Sequence, residues 1–216
     1  MLAGRPDARQ TAPNYRTALP AHRTTRPTTH RGARMTIPPP PPALPISPDD
    51  PHRQLAVARP NADQALPHIG VVGDTYTILL TGDDTAGRFT LIDMHVPPGG
   101  GPAPHRHDFE ETFSVLEGEI EVTFRGRKMA LHAGETVNIP ANAPHEFHNV
   151  TRAPARLLCT CVPAGQEAFF REIGVSVAGR TTPPPPLSPD EQAAFQAKAA
   201  ALAPTYRTEL LPSGSA

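Results

Sequence analysis

His105-x-His107-x-x-x-Glu111 is answered 34 residues further on by a single His145. Three imidazoles and one carboxylate make a metal-binding set. Imidazole suits Zn, Cu, Fe and Ni, a carboxylate extends the choice toward Mn, and the lack of Cys among the four argues against a soft thiolate site. Four protein ligands leave one open position on a five-coordinate metal and two on an octahedral one. An open position is what separates a catalytic centre from a closed structural one. Of the 10 histidines, the others have no comparable frame. His148 has the opposite parity to His145 and is expected to face out. His95 is assigned to the surface, and His132 is given no role.

The spacing also says what must hold these groups. In a strand, residues i and i+2 point to one face, so His105 and His107 project together. Glu111 stays in phase with them if the strand continues or merely bends. His145 opens a second strand-like run, and only a closed β structure brings the two runs together. The surrounding sequence agrees. Tyr76–Thr81 and Phe89–Val96 are β-rich runs on either side of a turn-like Gly82–Gly87. Thr112–Leu116, Glu119–Phe124, Lys128–Leu131, Thr136–Ile139, His145–Val150 and Arg156–Val162 follow, most separated by Gly, Pro or Asn. Many short, regularly punctuated strands mean a sandwich or barrel. In Glu119–Phe124 the apolar Ile120, Val122 and Phe124 alternate with polar partners, and Arg125-Gly126-Arg127 reads as a hairpin tip.

Beyond Pro163 the pattern turns helical. Ala168–Ile173 fits a short helix ended by Gly174. Pro183–Pro186 is a spacer, and Ser188-Pro189-Asp190-Glu191 supplies an N-cap, a first-turn Pro and a capping box for a helix reaching about Leu202. Phe195, Ala199 and Leu202 share one of its faces, so this tail is expected on the outside of the barrel or on a second subunit. The expected organisation is a disordered Arg/Thr/Pro-rich extension over residues 1–50, a barrel with its lead-in over 51–163, and a helical tail over 164–216. Residues 1–35 carry Asp7 as their sole acid and show no hydrophobic period. Such a leader can be a transit peptide; upstream translated sequence ahead of a start at Met35 is the simpler expectation. Pro38–Pro42 then forms a stiff linker.

The two clusters sit in longer frames: Gly99-x5-His105-x-His107-x3-Glu111-x6-Gly118, and Gly134-x5-Pro140-x-Asn142-x2-His145-x3-Asn149. Together these resemble the two motifs of the cupin superfamily, with 15 residues between Gly118 and Gly134, as in its compact single-domain members. The resemblance runs from about Tyr76 to Val162. One position departs, since the family usually has Gly where this chain has Asn142. Asn tolerates left-handed geometry better than other non-Gly residues, so the turn is expected to survive. Gly118 is read as ending a strand at a tight turn, and Asn149 as bonding to nearby backbone. The resemblance implies an all-β double-stranded β-helix, or jelly-roll barrel. It also implies one divalent transition metal per chain (Fe, Mn, Ni, Co, Cu or Zn) on His105, His107, Glu111 and His145, and a homodimer.

Phe109, Phe113, Val115, Phe124 and Phe147 are apolar residues around the site. Phe113 and Val115 share parity with Glu111, and Phe147 with His145, so these three point inward. They are core by default and a substrate wall by hypothesis. Two functions compete. The first is a mononuclear metal-dependent dioxygenase resembling the quercetin dioxygenase-like cupins, acting on a small enol or flavonol-like aromatic substrate, with Glu111 doubling as a catalytic base. The second is a non-oxidative cupin, an isomerase or cyclase, or a small-molecule sensor, because one ligand set serves many chemistries.

Composition narrows the field. The 216 residues carry a formal net charge of −1, which points to no nucleic acid and no anionic membrane as partner. No apolar stretch approaches the length of a membrane span, and no charged start leads into an apolar run as in a signal peptide. The 29 prolines concentrate outside the middle of the chain. Cys159 and Cys161 would share a strand face with Cα atoms about 6.5–7 Å apart, at or beyond the disulfide limit. Two reduced, buried thiols are expected, as suits a cytoplasmic protein.

Overall fold

The structure, a computed structural model, describes residues 45–63 and 65–215. The expectations for Met35 and for Pro38–Pro42, and most of the expected 1–50 extension, lie outside the described residues. Residues 45–50 are exposed and without regular secondary structure. Asp50–Ala216 forms a compact unit.

The strands in chain order are β1 (His68–Val71), β2 (Asp74–Leu80), β3 (Thr90–Val96), β4 (His105–His107), β5 (Glu110–Glu117), β6 (Glu119–Phe124), β7 (Arg127–His132), β8 (Thr136–Ile139), β9 (His145–His148), β10 (Ala155–Val162), β11 (Val175–Ser176) and β12 (Thr208–Leu210). They build two antiparallel sheets, β11-β1-β2-β3-β10-β5-β8 and β12-β4-β9-β6-β7. This is the expected two-sheet jelly-roll barrel. Its core is the inward residue of each strand: Ile92, Met94, Phe113, Val115, Ile120, Val122, Phe147 and Leu157 are all buried.

Local chemistry explains the path. Ile120 and Val122 are buried on β6 while Glu119 and Glu121 are not, the period of a one-sided strand. The two-residue tip Arg125-Gly126 takes φ of 48° and 77°, the doubly left-handed turn that matches strand twist. Gly118 has φ 76°, and a Cβ there would lie 2.8 Å from the Pro154 carbonyl oxygen. Only Gly fits that corner.

Three helices are described: α1 (Gly82–Thr85), α2 (Gln166–Ile173) and α3 (Pro189–Leu202). The stretch read as a turn is the single-turn α1, capped reciprocally by Thr81 and Asp84. Ser188 and Glu191 form the expected capping box of α3. A 3-10 turn over Ala203–Tyr206 then delivers β12 to the edge of β4. The tail therefore packs on its own barrel and adds a strand to each sheet. On the outer face of the larger sheet, Asp93 of β3 is wholly buried beneath Arg156 of β10, whose Nε and Nη2 donate to it at 3.0 and 2.7 Å. No helix among the described residues is long and apolar enough to cross a membrane.

Candidate metal centre

β4 is three residues long, and its two inward positions are His105 and His107. β9 lies beside it with His105 opposite His145. The strand does not continue to Glu111. Asp108 and Phe109 interrupt it, and β5 belongs to the other sheet. Glu111 therefore meets the imidazoles from across the barrel. At the end of β4, Asn142 has φ 67° and donates its N–H to the His107 carbonyl at 2.7 Å. The left-handed turn expected for that residue is present, and it pins the strand that carries His105 and His107. Asn149, fully buried, bridges Val96 and Ala153 through its amide N–H groups at 3.0 and 2.8 Å.

The imidazoles are oriented by backbone. Nδ1 of His105 lies 2.9 Å from the Ala103 carbonyl, Nδ1 of His107 2.9 Å from that of Phe109, and Nδ1 of His145 2.9 Å from that of Ala143. A carbonyl can only accept, so each Nδ1 carries the proton and each Nε2 of a neutral ring presents a lone pair. Nε2 of His107 and of His145 lie 3.0 and 3.2 Å from Oε2 of Glu111. All four residues are buried. Lone pairs aimed at a carboxylate repel unless protons or a cation stand among them. A divalent metal meets that demand, and three Nε2 atoms plus a carboxylate oxygen are a donor set for Fe, Mn, Co, Ni, Cu or Zn. Fit to a metal is thus established by donor chemistry and by orientation.

Electrostatics follow from the same arrangement. Burial, with the neighbouring His145 and His107, drives the His105 pKa down to about 3, so that ring is neutral near pH 7. Burial also opposes charge on His107, but the hydrogen bond and charge of Glu111 outweigh it and raise the pKa. For Glu111, burial raises the pKa, and the hydrogen bonds from His107 and His145 overcome it, leaving the carboxyl well below its usual range. The other carboxylate oxygen, Oε1, accepts from the Cys159 thiol at 3.3 Å and lies 3.8 Å from the Cys161 sulfur. Both cysteines are free and buried, and burial pushes the Cys159 thiol far up, as expected for reduced structural thiols.

A cavity of about 150 Å3 opens onto the centre. His105, Glu111, Phe113 and Phe147 line its floor with Tyr76 and Met94. Phe109, Val115 and Phe124 lie outside that lining. Phe109 stacks on His107 with ring centroids 3.9 Å apart, Val115 is buried, and Phe124 is half-buried beneath the Arg125 guanidinium. The roof comes from the tail: Gln166, Phe169 and Phe170 of α2, Phe195 and Ala199 of α3, and Thr208 and Leu210 of β12. These were not named as site residues from sequence. The only hint was the shared face of Phe195 and Ala199. His95 and His148 are partly buried and His132 exposed, none of them in the cavity lining.

Residues 92–161 match the family model described as "Cupin domain". The chain is 29% identical over 132 residues to quercetin 2,3-dioxygenase of Bacillus subtilis (strain 168), a match covering 56% of this chain and 39% of that protein. It is 28% identical over 111 residues to an uncharacterized protein of Methanocaldococcus jannaschii, covering 50% of this chain and 89% of the other. A RmlC-like cupin from Shewanella frigidimarina superposes with a TM-score of 0.45 at 18% identity, over 53% of this chain and 96% of that one. The domain match spans both ligand motifs, on strands that close them into one barrel, so residues 92–161 of this chain are a cupin domain.

Proposed function

We propose that this protein is a metal-dependent cupin enzyme, a mononuclear dioxygenase for a small enol or flavonol-like aromatic substrate. One observation carries the proposal. Three Nε2 lone pairs, fixed by backbone carbonyls, converge with a carboxylate, and two of the four residues, His105 and Glu111, open onto an apolar, aromatic-lined cavity. The similarity to a quercetin 2,3-dioxygenase supports the choice of chemistry. His105, His107, Glu111 and His145 would hold the metal, which supplies an open coordination position and the capacity to bring substrate and oxygen together. The residues do the rest. The aromatic floor, Phe113 and Phe147, orients a flat substrate by stacking and edge contacts. The roof of α2, α3 and β12 keeps bulk water off the reacting face. Glu111, held ionised, accepts the proton of the substrate hydroxyl. A homodimer belongs to the same proposal.

The test is metal content of the purified chain by plasma mass spectrometry, followed by oxygen uptake with enols and flavonols. His105→Ala should lower the metal content by about one equivalent and abolish oxygen uptake while leaving the barrel folded. Activity that survives this change would sink the proposal. Metal binding without oxygen uptake would favour the non-oxidative or sensor reading instead.

A further inference from the structure

Glu111 has a second set of neighbours. β10 lies beside β5 with Cys161 opposite Glu111 and Cys159 opposite Phe113, so both thiols project into the barrel against the carboxylate. The two sulfurs are 3.7 Å apart, and Oε1 lies 3.3 and 3.8 Å from them. All three residues are buried, and their donor atoms form a compact group. Tetrahedral zinc with Zn–S of about 2.3 Å and Zn–O of about 2.1 Å requires S···S of about 3.8 Å and S···O of about 3.6 Å. The triangle of two sulfurs and one oxygen already has the size of one face of such a site.

We infer that Cys159, Cys161 and Oε1 of Glu111 form a second metal site, for a thiophilic d10 cation such as Zn2+ or Cu+. Glu111 then bridges two unlike sites, with Oε2 toward the imidazoles and Oε1 toward the sulfurs. The donor types sort the metals. Thiolates select soft and borderline ions, while three imidazoles and a carboxylate accept harder ones. Glu111 lines the cavity, so a cation reaches the sulfurs past its carboxylate, and binding releases the two thiol protons to solvent. This site lies apart from the oxygenase reading, with which it shares only Glu111.

Cadmium is the probe, because its thiolates absorb in the near ultraviolet and its imidazole complexes do not. Reduced, metal-stripped full chain is titrated with Cd2+, and bound metal is counted by native mass spectrometry. The wild type should bind two equivalents and develop the sulfur-to-cadmium band. His105→Ala/His145→Ala should keep the band with about one equivalent. Cys159→Ser/Cys161→Ser should keep one equivalent without the band. Absence of the band in the wild type, a measurement that needs no variant, overturns the site and leaves the thiols as hydrogen-bond donors. One equivalent in the wild type, with the band lost from the histidine variant, also overturns it, since the six side chains then make a single mixed centre. Loss of imidazole-bound metal alone counts against the oxygenase reading and not against this one.

Discussion

Asp93 and Glu111 are buried carboxylates two strands apart in one sheet, and they face opposite sides of it. Asp93, on the outer face, is wholly buried and held by three bonds from the Arg156 guanidinium, with Arg180 at 4.0 Å. Glu111, on the inner face, meets no permanent cation among the described residues. Its neighbours are imidazoles committed by their Nδ1 atoms to backbone, and two thiols. A buried charge is tolerated when paired and bonded. Asp93 is finished by the chain itself, whereas Glu111 is finished only by something added. The difference separates a carboxylate that serves the fold from one that serves a ligand.

Substitutions test that contrast. The largest effect is expected from Arg156→Ala, which leaves Asp93 buried with only Arg180 at 4.0 Å and costs up to about 3–5 kcal/mol, read by urea unfolding. Metal uptake should be unchanged. A loss below about 1 kcal/mol would mean that the outer carboxylate is not held as described. Next is Glu111→Gln. The metal-free variant should lose far less stability than Arg156→Ala, because the carboxamide oxygen still accepts from His107 and His145 and no charge is left without a partner. The gain on adding metal, about 2.7 kcal/mol at a hundredfold excess over Kd, should disappear. Thermal melts with and without Zn2+ or Mn2+ check both halves, and a large loss in the metal-free form would place Glu111 with Asp93.

Asp74 gives the intermediate case. It is buried, its Oδ2 accepts from the Tyr76 hydroxyl at 3.1 Å, and its Oδ1 has no well-formed hydrogen bond among the described residues. Burial pushes its pKa up to about 7, against the lesser effect of that hydrogen bond. The native state therefore keeps a proton that the unfolded chain releases near pH 4. Stability from this group is present below pH 4 and lost as pH rises toward 7, at no more than about 1.4 kcal/mol per pH unit. Asp74→Asn should flatten that decline in a pH series of unfolding curves. An unchanged slope would mean Asp74 is ionised throughout, as a satisfied carboxylate would be.

Much of the site was legible because its signals are local. His105 and His107 share a face by strand period alone, and Asn142 announces its turn by residue type. Ser188 with Glu191 marks the start of α3 by capping chemistry, and Gly174 ends α2 with extended backbone. Asn149 bonds nearby backbone, as its residue type suggests, but it also reaches Val96, 53 residues away. The strand break at Asp108-Phe109 left no such mark, nor did β12. Three residues of Thr-Glu-Leu show no periodicity until β4 offers an edge to pair with.

The sequence by itself determined the donor types, the strand and helix signals and the frames around them, because these depend on residue chemistry and on neighbours a few positions away. Tertiary structure alone decided that Glu111 approaches from the opposite sheet, that its two oxygens face imidazoles and thiols separately, and that α2, α3 and β12 roof the cavity. Those are distances between residues remote in the chain, set by how two sheets and a tail bury their apolar faces together. No local propensity encodes them.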